Sequence, residues 1–271
     1  MAVEKERLDI ILVEKGFFPT REKAKQNIMA GLVFVDNKRV DKAGEMIKYS
    51  SSIEIKGNTI PYVSRGGLKL EKAIKTFNID VLGKDAIDVG ASTGGFTDCL
   101  LQNGAKSVTA IDVGYGQFAW ELRNDERVKL MERTNIRYVT LDNIGKARDI
   151  AVIDVSFISL KLVLPVVKKL IIDSGEIVCL IKPQFEAGRD RVGKKGVVRD
   201  PKTHMDVIKE VIKFSEDINL CVKNLSFSPI KGPEGNIEYI LYLINNKDTE
   251  YNQHDIEDII AKTVEESHKS L

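Results

Sequence analysis

Apolar positions fall into two rhythms along the chain. Over residues 7–56 they come in short groups. Leu8, Ile11 and Leu12 follow a helical period with Lys15, and Gly16 ends it. Thr20 is placed to cap a second helix, with Lys23 standing where a capping box would have Glu; Ala24, Ile28 and Met29 form its inward face, and Gly31 closes it. Leu32-Val33-Phe34-Val35, a polar turn at Asp36-Asn37-Lys38-Arg39 and Val40 read as a strand, a tight turn and a return strand. Ile53-Glu54-Ile55 alternates like one more.

From residue 86 the rhythm changes to buried-strand runs separated by helical stretches. The runs are Ala86–Val89, Val108–Val113, Val128–Met131, Ile150–Val155 and Ile177–Ile181, followed by Val222–Ser228 and Ile237–Ile244. This alternation predicts an α/β fold, a doubly wound Rossmann-like sheet of seven strands whose last pair is an antiparallel edge hairpin. Between the two rhythms, Thr59 to Arg65 reads as a joint, with Pro61 and the Gly66-Gly67 pair breaking regular structure. Helical spacing resumes at Leu68, Leu70, Ala73, Ile74 and Phe77. The expected division is a small α+β module at 1–58, a linker at 59–65, and the sheet domain at 66–271. That domain ends in a short amphipathic helix through Ile256, Ile259, Ile260 and Val264, which is expected to pack back on it.

Composition narrows the function classes. A net charge of +1 does not announce a nucleic-acid binder, so any basic surface must come from clustering. Cys99, Cys179 and Cys221 are odd in number, widely spaced and set in apolar runs. This argues against a disulfide framework or zinc site and for a reducing, cytoplasmic location. His204, His254 and His268 have no metal-ligand spacing and read as surface residues; no metal is expected. The charged N-terminus lacks an apolar signal segment, and Leu160–Ile172 is interrupted by Lys161, Pro165, Lys168 and Lys169, so no membrane association is expected.

The first run leads directly into Asp88-Val-Gly90-Ala-Ser92-Thr-Gly94-Gly95-Phe96-Thr97-Asp98, a glycine-rich strand-to-helix turn that lets backbone approach a ligand. Its spacing fits neither G-x-G-x-x-G nor a phosphate loop ending in Gly-Lys-Ser/Thr. The next run reaches Asp112, where an acidic side chain can meet a ribose diol. A cofactor without pyrophosphate suits such a turn, and S-adenosylmethionine is one.

Two resemblances sharpen this reading. Arg7-Leu-Asp, Thr20-Arg21-Glu-Lys-Ala24, Ile28, Gly31 and Val33-x-Val35-Asp36 resemble the S-four RNA-binding domain. On charge alone, Arg21, Lys23 and Lys25 would be a solvated helix face, and Lys38 and Arg39 a solvated turn. The resemblance implies that they, with Arg7, face folded RNA. Ser64-Arg65-Gly, the run 88–98, Asp112-Val-Gly-Tyr-Gly-Gln117, Glu132-Arg-Thr-Asn135, Asp154-Val-Ser-Phe-Ile-Ser-Leu160, Lys182-Pro-Gln-Phe-Glu186 and Gly235-Asn-Ile-Glu238-Tyr together resemble the TlyA family. That family is called haemolysin-like but comprises ribosomal RNA 2′-O-methyltransferases with an FtsJ-type catalytic half.

The resemblance implies 2′-O-methylation of cytidine in ribosomal RNA within one or both ribosomal subunits. It maps a catalytic tetrad onto Lys69, Asp154, Lys182 and Glu238. Cofactor contacts are expected from Asp88, Gly90, Ser92, Gly94, Gly95, Phe96, Thr97, Asp112 and Asp154. Asp154 and Lys182 follow apolar strands, where ligands bind in open α/β sheets. Lys69, in an early helical turn, is by itself as consistent with a solvated lysine as with a site residue. Lys182 is the expected base. A neutral lysine near pH 7 needs desolvation or a nearby cation, because the free side chain titrates at about 10.4. The stretch Lys182–Lys202, with Lys194 and Lys195 among its basic residues, is expected to contact substrate, as is Arg65 of the joint, and Phe157 and Phe185 could stack on a base or belong to the core. A monomer is the expected state. Two other classes stand beside this reading: an RNA-binding factor that keeps an inactive methyltransferase fold, and a pore-forming haemolysin, for which the chain offers no apolar span or membrane hairpin.

Overall fold

A computed structural model describes residues 5–29, 31–56, 60–193, 195–232, 234–246 and 253–271. Lys194, Thr59, the first four residues and most of the polar stretch before the last helix lie outside these ranges. The chain divides into two compact units, Met1–Arg65 and Gly66–Leu271.

In the first unit, β1 (Lys5–Arg7), α1 (Leu8–Glu14), α2 (Arg21–Met29), β2 (Val33–Val35), β3 (Lys38–Arg39), β4 (Met46–Lys48) and β5 (Ile53–Ile55) follow in order. β1 pairs with β4, and β2 lies between β3 and β5, all antiparallel. The core joins Leu8, Ile11 and Leu12 of α1 to Ala24 and Ile28 of α2 and to Val33, Val35, Val40 and Ile47. Thr20 caps α2, its hydroxyl accepting from the backbone N–H of Lys23 at 3.2 Å. The turn is tighter than expected: Asp36 and Asn37 alone make it, both at positive φ, and Lys38 and Arg39 already pair as a strand.

Met29 is 65% exposed instead of facing inward. The inward place is taken by Asn27, three residues after Ala24 on the same face. Its amide donates to the carbonyl of Lys23 at 2.8 Å and accepts from the backbone N–H of Ile60 at 3.3 Å.

The second unit contains α3 (Gly66–Phe77), β6 (Asp85–Val89), α4 (Gly95–Gln102), β7 (Ser107–Ile111), α5 (Trp120–Arg123), β8 (Val128–Met131), α6 (Leu141–Ile144), β9 (Arg148–Ile153), α7 (Leu160–Leu170), β10 (Ile171–Ile181), α8 (Pro183–Glu186), α9 (Pro201–Asp217), β11 (Cys221–Phe227), β12 (Tyr239–Ile244) and α10 (Gln253–Ser270). The seven-stranded sheet runs β11-β12-β10-β9-β6-β7-β8. Only β12 opposes its neighbours; it is antiparallel to both β10 and β11. The last pair is therefore a hairpin by contact, but β12 lies inside the sheet and β11 holds the edge.

Alternate residues sort to the two faces. Ile87, Val89, Ala151, Ile153, Ile177 and Cys179 join α7, α9 and α10 in one core. Asp88 points to the other face, where Thr97 of α4 meets it. The three cysteines are buried, and none of them forms a disulfide.

Three further expectations change. α3 starts at Gly66, so the glycine pair lies in its first turn rather than before it. α10 is 18 residues long, longer than its apolar spacing suggested; Ile260 and Val264 are buried in the core as expected. His204 is fully buried, one ring nitrogen 2.7 Å from the hydroxyl of Tyr239 and the other 3.0 Å from the carbonyl of Val198. Its burial follows from its place on the inward face of α9, with Val207, Ile208 and Val211. No described helix is long and apolar enough to cross a membrane.

Candidate active site

The order of the sheet creates the site. After β6 the chain passes to β7 and β8 on one side, then returns to β9 and β10 on the other. The carboxyl ends of β6 and β9 therefore flank a topological switch point. Gly90 and Asp154, the residues just after these strands, meet there. The backbone N–H of Asp154 donates to the carbonyl of Val89 at 3.0 Å. Gly90 is at φ +85, and a Cβ on it would collide with the carbonyl oxygen of Asp154, so this approach requires glycine.

Four charged side chains from distant parts of the sequence converge beside this point. Asp154 follows β9, and Lys182 follows β10. Glu238 precedes β12. Because β12 is antiparallel, with Tyr239 opposite Ile181, its entry lies at the same end of the sheet as the exit of β10. Lys69 comes from α3. The result is an alternating chain of ion pairs: Lys182 Nζ lies 2.5 Å from Asp154 Oδ1, Lys69 Nζ 3.4 Å from Asp154 Oδ2, and Lys69 Nζ 2.6 Å from Glu238 Oε2. The structure thus brings together all four residues of the expected tetrad.

All four side chains are largely shielded from solvent. Burial opposes the charge on Lys69, yet Asp154 and Glu238 outweigh it and hold its ammonium above the ordinary lysine range. Burial likewise opposes the charge on Asp154, and the two lysines reverse that effect, holding its carboxyl below the usual range.

A cleft of about 710 Å³ opens beside Asp154, which lines it, while Lys69, Lys182 and Glu238 do not. Gly90, Ser92, Asp112, Asp154 and Ser156 contribute to its wall. Asp112 stands after β7 and accepts from the backbone N–H of Ser92 at 2.8 Å and of Gly114 at 2.6 Å. The glycine-rich turn therefore holds this carboxylate at the cleft. Asp88, Gly94, Gly95, Phe96 and Thr97, named with them from the sequence, do not line the cleft. Gly94 is the positive-φ N-cap of α4, Phe96 is buried, and the hydroxyl of Thr97 donates to Asp88 Oδ2 at 2.7 Å.

Sequence reasoning passed over Ser156, Gln117, Thr134 and Arg137, all at the cleft. Their signal was positional, since each stands a few residues beyond a strand's carboxyl end. Phe157 is settled by its exposure: at 91% it is not core, and its ring lies 5.0 Å from that of Phe185.

The basic residues divide. Arg7 and Arg21 both clamp the fully buried Asp9, at 2.9 Å each. Burial works against the charge of Asp9, and the two guanidiniums outweigh it, holding the carboxyl below its usual range. Arg7 and Arg21 thus hold the first unit together whatever else they touch. Lys23 donates to the carbonyl of Tyr62 at 3.3 Å, and Lys25 is half-buried. Lys38 and Arg39 are exposed, Arg39 pairing with Asp41. Arg65 belongs to the first unit. The stretch 182–202 is less irregular than expected, because α8 opens it and α9 begins at Pro201; Lys195 and Arg199 are exposed between them.

Comparison with known proteins agrees with this architecture. Residues 62–245 match the FtsJ-like methyltransferase family and residues 6–51 match the S4 domain. Over 261 residues the chain is 40% identical to "16S/23S rRNA (cytidine-2'-O)-methyltransferase TlyA" of Mycobacterium tuberculosis (strain ATCC 25618 / H37Rv), covering 96% of this chain and 97% of that one. The chain belongs to the TlyA family. It is therefore a member of a family of S-adenosylmethionine-dependent RNA 2′-O-methyltransferases that join an S4 domain to an FtsJ-like domain. A Bacillus subtilis (strain 168) relative, "Putative rRNA methyltransferase YqxC", is 55% identical over 272 residues, covering 100% of this chain and 97% of its own. A solved structure, "Putative hemolysin from Streptococcus thermophilus", superposes with a TM-score of 0.78 at 47% identity, covering 99% of this chain and 98% of that one.

Proposed function

We propose that this chain methylates the 2′-hydroxyl of cytidine in ribosomal RNA, in one or both ribosomal subunits, and that it works as a cytoplasmic monomer. The observation that carries the reading is the ion-pair chain Lys182–Asp154–Lys69–Glu238 beside a cleft that a carboxylate enters from the neighbouring strand. Cytidine as the target rests on the activity named for the Mycobacterium tuberculosis relative.

The cleft suits S-adenosylmethionine. Gly90 leaves room at the switch point, and the fixed carboxylate of Asp112 is positioned to accept from a ribose diol. When bound, the cofactor supplies a methyl group activated by its sulfonium. Asp112→Ala is then expected to weaken S-adenosylmethionine binding by at least tenfold while leaving the fold intact. Unchanged affinity by calorimetry would remove Asp112 from the site.

The remaining chemistry belongs to the tetrad. A ribose hydroxyl is a poor nucleophile and needs a base. Lys69, held charged between two carboxylates, supplies positive charge and not a lone pair. Asp154 has a lysine on each oxygen, and Glu238 is committed to Lys69. Lys182 is left as the proton acceptor, and Asp154 orients it. Phe157, exposed at the rim beside Phe185, offers a face on which a base can stack.

Base catalysis contributes about 10²–10⁴-fold, so Lys182→Ala is expected to lower single-turnover methylation of ribosomal subunits by roughly that range. Lys182→Arg should not restore it, because a guanidinium keeps its proton. Near-normal turnover by Lys182→Arg would mean that the residue supplies charge alone. No methyl transfer by the parent chain to either subunit would instead favour an RNA-binding factor without activity.

A further inference from the structure

Lys182 has a second partner outside the ion-pair chain. Its Nζ donates to the hydroxyl of Ser156 at 3.0 Å, while Asp154 Oδ1 lies 2.5 Å away on the carboxylate side. Ser156 follows Asp154 by two residues, just past the carboxyl end of β9, and both line the cleft. The lysine is thus held between a hydroxyl that accepts its N–H and a carboxylate that pairs with its charge, both from one strand exit.

The stereochemistry of an amine gives this arrangement a consequence. A neutral amine on a lysine stem has two N–H bonds and one lone pair, arranged tetrahedrally with the bond to Cε. With one acceptor, rotation about the Cε–Nζ bond leaves the lone pair free among several directions. With one N–H engaged by Ser156 and a carboxylate oxygen close to Nζ, which attracts the second N–H and repels a lone pair, the lone pair is confined to the one direction left. Hydrogen-bond geometry is steep enough to hold the N–H on Ser156 in place, since such bonds weaken sharply below about 120°.

We infer that Ser156 is a positioning residue for methyl transfer: its hydroxyl takes one N–H of Lys182 while the carboxylate of Asp154, paired with Nζ by charge, repels a lone pair on its side, so that the lone pair faces the ribose hydroxyl. The inference rests on Lys182 being the base. In the step it serves, the 2′-O–H bond breaks and its proton goes to Nζ. The freed electron pair on oxygen forms the bond to the methyl carbon, and the pair of the breaking methyl–sulfur bond stays on sulfur. Nζ then carries three N–H bonds and a positive charge, with Ser156 still accepting one of the three and Asp154 facing the charge. Misaligned proton acceptors lose rate through orientation, not through substrate affinity.

The test is single-turnover methylation of ribosomal subunits at saturating S-adenosylmethionine by Ser156→Ala, Ser156→Thr and Lys182→Arg, with calorimetry for the cofactor and a subunit titration for KM. Ser156 is exposed in the cleft, so its variants are expected to fold. Ser156→Ala should slow the chemical step by about tenfold, the loss of one oriented hydrogen bond of roughly 1.4 kcal/mol. Cofactor affinity and KM should stay within about twofold. Ser156→Thr, which restores a hydroxyl, should recover the rate to within about threefold of the parent.

A Ser156→Ala enzyme at the parent rate, with Lys182→Arg inactive, overturns the role of Ser156 and leaves Lys182 as the base. So does a loss confined to cofactor affinity, which would make Ser156 a binding contact. A Thr variant as slow as Ala shows that the hydroxyl is not what matters. An active Lys182→Arg overturns the base assignment and the positioning role with it.

Discussion

Asp88 sits fully buried behind the cleft, one oxygen accepting from Thr97 and the other without a hydrogen-bond partner. Burial raises its pKa to about 7; the bond from Thr97 opposes the rise and the charge of Asp154 adds to it. Between about pH 4 and pH 7 the unfolded chain gives up this proton while the folded chain keeps it, so the group makes stability fall as pH rises through that window. The fall could reach roughly 4 kcal/mol if Asp88 acted alone. Asp88→Asn is expected to flatten this part of the profile and to be more stable than the parent at pH 8. Urea denaturation at a series of pH values measures it, and parallel profiles for the two proteins would show that Asp88 is ionised in the folded state. Asp88 was readable from the sequence as part of the turn, but its isolation from water was not, because that depends on α4 folding over it.

At the scale of elements, strands and helices with a sustained period were readable and short or exceptional ones were not. β6, β8 and β12 fall close to their apolar runs. β1 and β4 are three residues each and pair across the first unit, with no internal alternation to announce them. β10 extends back to Ile171, six residues before its apolar run begins, and its register shifts between Ile171 and Glu176. The polar residues Asp173 and Ser174 hide that extension. α10 was readable as amphipathic, and its docking can be tested. Ile260 is 1% exposed in the core shared with α9. Ile260→Ala should cost about 2–5 kcal/mol, the usual range for truncating a buried isoleucine. A loss below about 1 kcal/mol in urea denaturation would mean that α10 is only loosely held.

The chain divides into two units, and the proposed assignment of RNA contact to the first and methyl transfer to the second predicts independent losses. Lys23, Lys25 and Lys38 lie on the first unit and leave the Asp9 clamp untouched when changed. Replacing all three with Gln should weaken binding to ribosomal subunits and flatten its salt dependence, by about 0.7–0.9 in the logarithmic slope for each phosphate that is no longer neutralised. S-adenosylmethionine affinity should not change, because every expected cofactor contact lies in the second unit. A salt series with an unaltered slope would make these lysines ordinary solvated residues.

The sequence alone determined the class of sheet, the glycine-rich turn and the strand-end places of Asp112, Asp154 and Lys182, because strand period and strand-end position are local properties; the tetrad as a set came from the family resemblance. It left Lys69 undecided between solvent and site. That choice was made by tertiary structure, which carries α3 to a pocket where two carboxylates, 85 and 169 residues further along, surround its ammonium. The antiparallel course of β12 had the same effect on Glu238: reversing one strand moved its entry to the end of the sheet where Asp154 and Lys182 lie. Arg7 and Arg21 show the opposite case, since their charge was visible but their engagement with Asp9 was not. A charge's partners depend on which segments pack together, and the hydrophobic pattern that drives the packing does not record them.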